Sequence, residues 1–375
     1  PAVDTMDKYN ENLTDIKEIF RKGDLLAIPK PLLKWYDNNR RILPWREQPT
    51  PYRVWVSEIM LQQTRVEAVK EYYKRFLQAL PTIQSLAEVE EDRLLKLWEG
   101  LGYYNRARNL KKAAQMVMEE YQGVFPDTYE GIHSLAGIGD YTAGAIGSIC
   151  YELPTPAVDG NVLRVYTRLS EDASNIDKQP TKNRIREELA QVYPEGHCGV
   201  MTQALMEIGA TVCVPNGAPK CEQCPLAHMC LAGQHGSWAS YPVRDQKKAR
   251  RKEEKTVLIL QCGDRIAIRK RHQKGLLSGM WEFPNVEGFL TKQQAVDTAG
   301  DWQTSPEQLR LETNYTHIFS HVEWQMTAYY ITCRQMDPAF TWMTESELEE
   351  QAAMPAQFRP FLDIWKQTYN DNQRR

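Results

Sequence analysis

Four cysteines fall within eighteen residues, as Cys213-x7-Cys221-x2-Cys224-x5-Cys230, and no other feature of the chain limits its fold as tightly. Four thiolates this close satisfy either a tetrahedral metal or a cubane cluster. A structural zinc matches the ligand count, but paired C-x2-C elements are its usual sign and only one such pair is present. The unequal outer spacings suit a four-iron cluster better. Either group would pin a short loop that has few hydrophobic residues of its own, so a structural role is expected ahead of a redox one. The remaining four of the eight cysteines, Cys150, Cys198, Cys262 and Cys333, are scattered and read as small buried hydrophobes. The first 30 residues are polar and lack the apolar core of an export signal. A reducing, cytoplasmic setting is therefore expected, without disulfides.

The 375 residues are enough for two domains. A net charge of -3 offers no general attraction for nucleic acid, so a DNA partner would need local basic patches. No run approaches the roughly 18 apolar residues of a membrane span; no membrane partner is expected, and the protein reads as a monomer. From 31 to about 233 the apolar spacing is helical, as in Val54, Trp55, Ile59 and Leu61 or Leu110, Ala113, Ala114 and Val117. Strand-like alternation begins only at Val257. The stretch 244–252 is basic and without an apolar face, and reads as a linker that either touches phosphates or is merely solvated. Short β-like runs follow at 256–261, 265–269 and 324–332, with helices near 291–299 and 360–368. The expected organisation is an all-α domain over 29–233, a linker over 234–255 and an α+β domain over 256–370. A helix near 13–20 is the only structure expected in the first 28 residues, which are assigned no role.

Three further patterns carry chemistry. Gly137 and Gly139 stand one residue apart before an apolar helix, a turn that brings backbone N–H groups to a helix N-terminus where an anion is favoured. Alone, this would pass for an ordinary helix–helix turn. Asp159, followed by Gly160, suits a helix N-cap for a helix starting at Asn161. Glu58 interrupts an apolar helical segment, where desolvation would keep it protonated, although a helical glutamate is more often a solvated one.

In this order, the hairpin 135–144, the loop Val158-Asp159-Gly160-Asn161 and the cysteine loop resemble the helix-hairpin-helix DNA glycosylases of the endonuclease III superfamily. Leu43-Pro44-Trp45-Arg46, Trp55-Val56-Ser57-Glu58-Ile59-Met60-Leu61-Gln62-Gln63-Thr64 and Trp98-Glu99-Gly100-Leu101-Gly102-Tyr103-Tyr104 are similar to the bacterial adenine glycosylases of the MutY family. The resemblance runs from about 32 to 230 and resumes at 275–284 and 319–325. One departure is visible: the first two cluster cysteines are usually separated by six residues and here by seven, an addition the loop should absorb without losing a ligand.

The resemblance implies a six-helix barrel at about 45–152 and a cluster module at about 29–44 and 153–233. One 4Fe–4S cluster would sit on Cys213, Cys221, Cys224 and Cys230. The implied reaction is excision of adenine mispaired with 8-oxoguanine, and with guanine, from double-stranded DNA in base excision repair. Glu58 would be the general acid at adenine N7, and Asp159 would stabilise the oxocarbenium-like sugar or bond to it transiently. Asn161 would orient Asp159, and Tyr141 would border the pocket. Bifunctional relatives carry a lysine at the Tyr141 position to form a Schiff base; a tyrosine has no amine, so a monofunctional glycosylase follows. Arg41, Leu43, Trp45, Arg46 and Gln203 would surround the flipped adenine. Gln63 and Tyr103 would wedge into the vacated stack. Thr64, Leu101 and Gly102 would face the lesion, and Gly137 and Gly139 would grip the backbone, where a monovalent or divalent cation can also sit. Arg106, Arg108, Lys111 and Lys112 offer either phosphate contacts or a solvated helix face.

The last third is similar to Nudix hydrolases at Ile268-Arg269-Lys270-Arg271 and at Leu276-Leu277-Ser278-Gly279-Met280-Trp281-Glu282-Phe283-Pro284. The metal-binding carboxylates of that family are missing from 293–300, so the resemblance implies the fold without the hydrolysis. Phe319-Ser320-His321 matches the loop by which the adenine glycosylases read 8-oxoguanine, and Ser320 can hydrogen-bond the altered N7–C8 edge. His317 and His321 are not spaced with other ligands and are not read as metal-binding. Two other classes stay open: a nucleotide hydrolase with a helical appendage, which the missing carboxylates oppose, and a cluster-bearing lesion sensor that binds without excising.

Overall fold

The computed structural model describes residues 25–246, 248–272 and 275–373 of the chain. The helix expected near 13–20 lies outside the described residues. In chain order the helices up to residue 246 are α1 (Pro29–Asn39), α2 (Pro44–Glu47), α3 (Pro51–Leu61), α4 (Val66–Ala79), α5 (Ile83–Glu88), α6 (Glu91–Trp98), α7 (Asn105–Glu120), α8 (Tyr129–His133), α9 (Asp140–Tyr151), α10 (Gly160–Ser170), α11 (Gln179–Ala190), α12 (Cys198–Thr211) and α13 (Leu231–His235). Two compact units form: residues up to Glu88 with Asn109–Gln246, and Val89–Arg108 with the chain beyond Gln246.

The first unit contains no strand among the described residues. Its carriers of chemistry are helices with almost no solvent face. In α3 every residue from Val54 to Met60 is buried, and in α9 every residue from Thr142 to Ser148. A helix apolar on all sides belongs in the middle of a domain. α9 packs on α3 and α12, and α10 packs on α12. One apolar core joins Leu32 and Tyr36 of α1, Val162, Val165 and Tyr166 of α10, Ile185 and Leu189 of α11, and Met201, Leu205 and Ile208 of α12.

The second unit is built on a seven-stranded sheet with the order β3-β2-β1-β6-β5, β4 pairing with β1 and β7 with β2. Its strands are β1 (Arg251–Cys262), β2 (Arg265–Lys270), β3 (Trp281–Glu282), β4 (Asn285–Glu287), β5 (Pro306–Ile318), β6 (Val322–Cys333) and β7 (Thr341–Met343). Its later helices are α14 (Lys292–Asp301), α15 (Glu345–Gln351) and α16 (Arg359–Gln373). The centre of β1 reads as an unbroken apolar run because both sheet faces are covered. Val257 and Ile259 join Trp324, Phe358 and Phe361 on one side, while Leu258 and Leu260 join Ala295 and Ala299 of α14 on the other.

Two expected boundaries move. Val89–Arg108, expected within the helical domain, groups with the second unit. Glu99 there accepts the Met354 backbone N–H and the Arg359 guanidinium, each at 3.0 Å, and Lys96 donates to the Ala352 carbonyl at 3.1 Å. Polar links between residues so far apart in sequence leave no trace in helical spacing. The linker is also shorter than 234–255. Val243 accepts the Ile176 N–H at 3.0 Å and Asp245 pairs with Lys178 at 3.0 Å, tying this stretch to the first unit. At its other end β1 begins at Arg251, where 251–261 pairs in parallel with 322–332. Backbone bonding accepts the charged side chains of its first four residues, which apolar alternation cannot reveal.

Candidate active site

α3 carries Glu58 into the first unit. Thr50 caps the helix by accepting the Arg53 N–H at 3.3 Å, and Pro51 starts it. Glu58 is only 5% exposed. Burial pushes its carboxyl from 4.5 up to about 7; the hydrogen bond from Tyr141 opposes this, Asp159 adds to it, and Arg46 opposes it. The Tyr141 hydroxyl donates to Oε2 at 2.6 Å and lies 3.2 Å from the Met206 sulfur. It occupies one oxygen of Glu58 and leaves the other to carry the proton.

Asp159 is the N-cap of α10, which starts at Gly160, one residue earlier than expected. Its Oδ1 accepts the Val162 N–H at 2.8 Å and its Oδ2 the Asn161 side-chain amide at 2.8 Å. Asn161 reaches this position because Gly209 of α12 stands behind it: a Cβ there would meet Asn161 Cβ at 2.6 Å. Arg164 continues the chain of contacts, donating to Asn161 Oδ1 at 2.9 Å and to the Cys213 carbonyl at 2.7 Å. Burial pushes the Asp159 carboxyl up as well, against the bonds from Val162 and Asn161. Burial therefore does not separate the two acids. What separates them is that Asp159 accepts bonds at both oxygens, which favours the ionised form, whereas the bond from Tyr141 reaches one oxygen of Glu58.

These groups share one cavity of about 610 Å³, lined by Glu58, Tyr141, Asp159 and Asn161, by all five residues expected around a base (Arg41, Leu43, Trp45, Arg46 and Gln203), and by Gln63 and Thr64. That volume lies inside the roughly 300–1,000 Å³ range of small-molecule sites. Gln63 is a non-glycine residue at φ 60°, a left-handed conformation that such residues adopt at a cost. Glu207, a lining residue that sequence reasoning missed, is fully buried. It accepts bonds from Arg41 Nε at 2.7 Å, Arg41 N at 3.0 Å, Arg41 Nη2 at 3.1 Å and Arg46 Nη2 at 2.8 Å. Burial opposes its ionisation, but the two arginines hold it down at about 2. The signal was available, because Glu207 is a lone acid in an apolar helix, the same pattern that singled out Glu58. The Tyr36 hydroxyl donates to Gln203 Oε1 at 2.9 Å, and the Arg46 guanidinium lies 5.6 Å from the Tyr36 ring centroid.

At the hairpin, Gly137 has φ +74° and a Cβ there would meet Asn109 Cβ at 2.6 Å, so glycine is required twice over. Gly139 is the N-cap of α9 and borders a second cavity, of about 410 Å³, with Lys182, Arg186 and Arg244 on its walls.

All eight cysteines are free. Cys198 and Cys333 are buried as expected, but Cys150 and Cys262 are only partly so. Cys213, Cys221, Cys224 and Cys230 line one cavity of about 200 Å³. Arg168 Nη1 donates to Cys213 Sγ at 3.3 Å and Gly233 N–H to Cys230 Sγ at 3.4 Å. No group of three or more His, Cys, Asp or Glu among the described residues is arranged to hold a single metal ion. Four thiols around one void, with donors aimed at two of the sulfurs, fit a group bound through sulfur.

In the second unit, Tyr103 is 52% exposed at φ 49°, and its hydroxyl lies 2.5 Å from Ser320 Oγ. Ser320 and His321 are exposed in the β5–β6 turn, which the Phe319 N–H closes onto the Val322 carbonyl at 2.8 Å. The Phe319 ring packs edge-on against Trp324, centroids 4.9 Å apart. Leu101 is buried beside Gly102, and both carbonyls are held by Arg106 Nη2, at 3.1 and 3.0 Å. Arg106, expected to contact phosphate or to lie on a solvated helix face, does not lie on a solvated face. It is buried, with its guanidinium 5.2 Å from the Trp98 ring and 5.7 Å from the Tyr103 ring, and burial lowers it to about 10. Arg108 pairs with Glu91 at 2.7 Å.

Residues 56–195 match the family described as HhH-GPD superfamily base excision DNA repair protein, and residues 256–363 match the NUDIX domain. An adenine DNA glycosylase of Buchnera aphidicola is 34% identical over 291 residues, which cover 77% of this chain and 82% of that protein. The adenine DNA glycosylase of Rattus norvegicus is 32% identical over 405 residues, covering 90% and 78%. That of Arabidopsis thaliana is 38% identical over 312 residues, which take in 72% of this chain but only 49% of the plant protein. Among solved structures, a thermostable thymine-DNA glycosylase is similar with a TM-score of 0.51 at 27% identity, covering 58% of this chain and 98% of its own.

Proposed function

The chain belongs to the adenine DNA glycosylases of the HhH-GPD superfamily, hydrolases of N-glycosidic bonds, and from that premise we propose that it excises adenine mispaired with 8-oxoguanine, leaving an abasic site. The observation that carries the reading is the pair of buried carboxyls on one cavity, Glu58 pushed up by burial and Asp159 accepting hydrogen bonds at both oxygens.

Breaking the glycosidic bond builds negative charge on the departing base and positive charge on the sugar. Glu58 delivers a proton to adenine N7, and Tyr141 holds the carboxyl in place from its other oxygen. Asp159, held by Asn161 and the α10 backbone, faces the oxocarbenium-like sugar and then assists water. Arg41, Leu43, Trp45, Arg46 and Gln203 supply an aromatic wall and polar groups around the flipped base. Tyr141 has no amine to attack the sugar, so no efficient strand cleavage accompanies excision.

Cys213, Cys221, Cys224 and Cys230 would hold a 4Fe–4S cluster. Such a group pins the loop whose Cys213 carbonyl anchors Arg164, and through Asn161 the catalytic aspartate. The Tyr103 and Ser320 pair supports a lesion-reading role for the second unit, with Phe319 and His321 beside it. The hairpin glycines would meet the DNA backbone, with a cation bound there. The protein would act as a monomer in the cytoplasm.

The test is a single-turnover assay on three duplexes with adenine opposite 8-oxoguanine, guanine or thymine, reading free adenine and strand breaks separately. Adenine release fastest opposite 8-oxoguanine, with breaks only after alkali, is the expected result. Binding without release would favour a lesion sensor instead.

A further inference from the structure

Glu207 has no step in the reaction above, yet it is a fully buried, ionised carboxylate on the cavity wall. Stability alone gives weak grounds for such a group, because apolar residues of similar volume commonly stabilise a protein as well as a buried ion pair does. Its partners give a better reason. Arg41 and Arg46 both line the cavity, and the Glu207 carboxylate accepts four hydrogen bonds from them. Arg46 Nη1 also donates to the Arg41 carbonyl at 3.1 Å, so the two arginines and that carboxylate form one hydrogen-bonded piece.

Glu58 feels this piece. The charged and titratable groups acting on it are Tyr141 and Cys150 of α9, Asp159 at the head of α10, and Arg46 of α2. A neighbouring cation favours the charged form of an acid, and this acid has to stay neutral to act.

We propose that Glu207 is a positioning residue acting through Arg41 and Arg46: it fixes both guanidinium groups on the cavity wall and neutralises charge that would otherwise face Glu58. The inference rests on the reading of Glu58 as proton donor, and adds how an arginine-lined base pocket stays compatible with a neutral acid.

The experiment follows the Glu58 carboxyl carbon by carbon-13 NMR in the full chain without DNA, the signal being assigned by its loss in Glu58→Gln. Wild type, Glu207→Gln, Glu207→Asp and Arg46→Gln are titrated, and adenine release is measured over the same pH range. Glu207→Gln should lower the Glu58 midpoint and the alkaline limb of excision together, by about one pH unit. Glu207→Asp should restore most of that shift, and Arg46→Gln should move the midpoint upward. A slower Glu207→Gln with an unmoved midpoint would mean a merely structural role and would overturn the proposal. Should Glu207→Gln not fold, Arg46→Gln decides: a raised midpoint supports the proposal and an unchanged one overturns it. If the wild type releases no adenine, the functional reading fails, while the titration still judges Glu207.

Discussion

Raising the pH from about 6 to about 8 should slow base release about tenfold, because the general acid must be protonated to act. With the Glu58 carboxyl pushed up to about 7, the protonated fraction falls from about ten in eleven to about one in eleven across that window. An ordinary glutamate near 4.5 would already be mostly ionised at the lower pH and would lose about a further hundredfold. The shape of the profile therefore reports what burial and Tyr141 do to this one carboxyl. The assay is single-turnover excision at enzyme concentrations below saturation, so that the limb belongs to the free enzyme. Glu58→Gln should abolish the limb along with most of the rate. A wild-type profile flat between these pH values, or a hundredfold fall, would refute the reasoning from burial.

Stability should carry the same signature. Between about pH 4.5 and 7 the native state keeps the Glu58 proton while the unfolded chain has released it, so stability falls as pH rises through that window, by about 3 kcal/mol in all. Glu58→Gln should lack this fall in denaturant titrations at the two ends. The opposite sign applies to Glu207, whose carboxyl is held down at about 2: its contribution is present above about pH 4.5 and lost toward pH 2, and Glu207→Gln should remove that acid sensitivity. Cys213→Ala should lower both iron content and excision rate, whereas duplex binding without excision should change less. Tyr103→Phe and Ser320→Ala should each narrow the rate difference between 8-oxoguanine and guanine partners, leaving excision opposite guanine nearly unchanged.

The helical first unit was legible because buried helices such as α3 and α9 announce themselves by apolar content. Glu58, Asp159 and the four cysteines stood out as polar or ligating residues where the pattern calls for something else. The strand β5 did not. It is a half-exposed edge strand paired with β6, and although burial alternates from Thr313 to Ile318, the inward positions Thr313, Tyr315 and His317 are not purely apolar, so the alternation does not read as a hydrophobic one. The two- and three-residue strands β3, β4 and β7 are too short for any period. α15 was overlooked although Thr344 and Glu347 form a capping box, a signal the sequence carries openly. The network that places Arg106 under Tyr103 was hidden for another reason. Charge in a sequence reads as solvated surface until packing shows that it is enclosed.

A neutral Glu58 and an anionic Asp159 should act together on a base drawn into the cavity they line. Free adenine should be quantified in single turnovers on a duplex with adenine opposite 8-oxoguanine, using wild type, Glu58→Gln and Asp159→Asn at saturating enzyme. The wild type should release adenine promptly and either variant almost none, although both still bind the duplex. Release by Glu58→Gln at the wild-type rate would contradict that joint action.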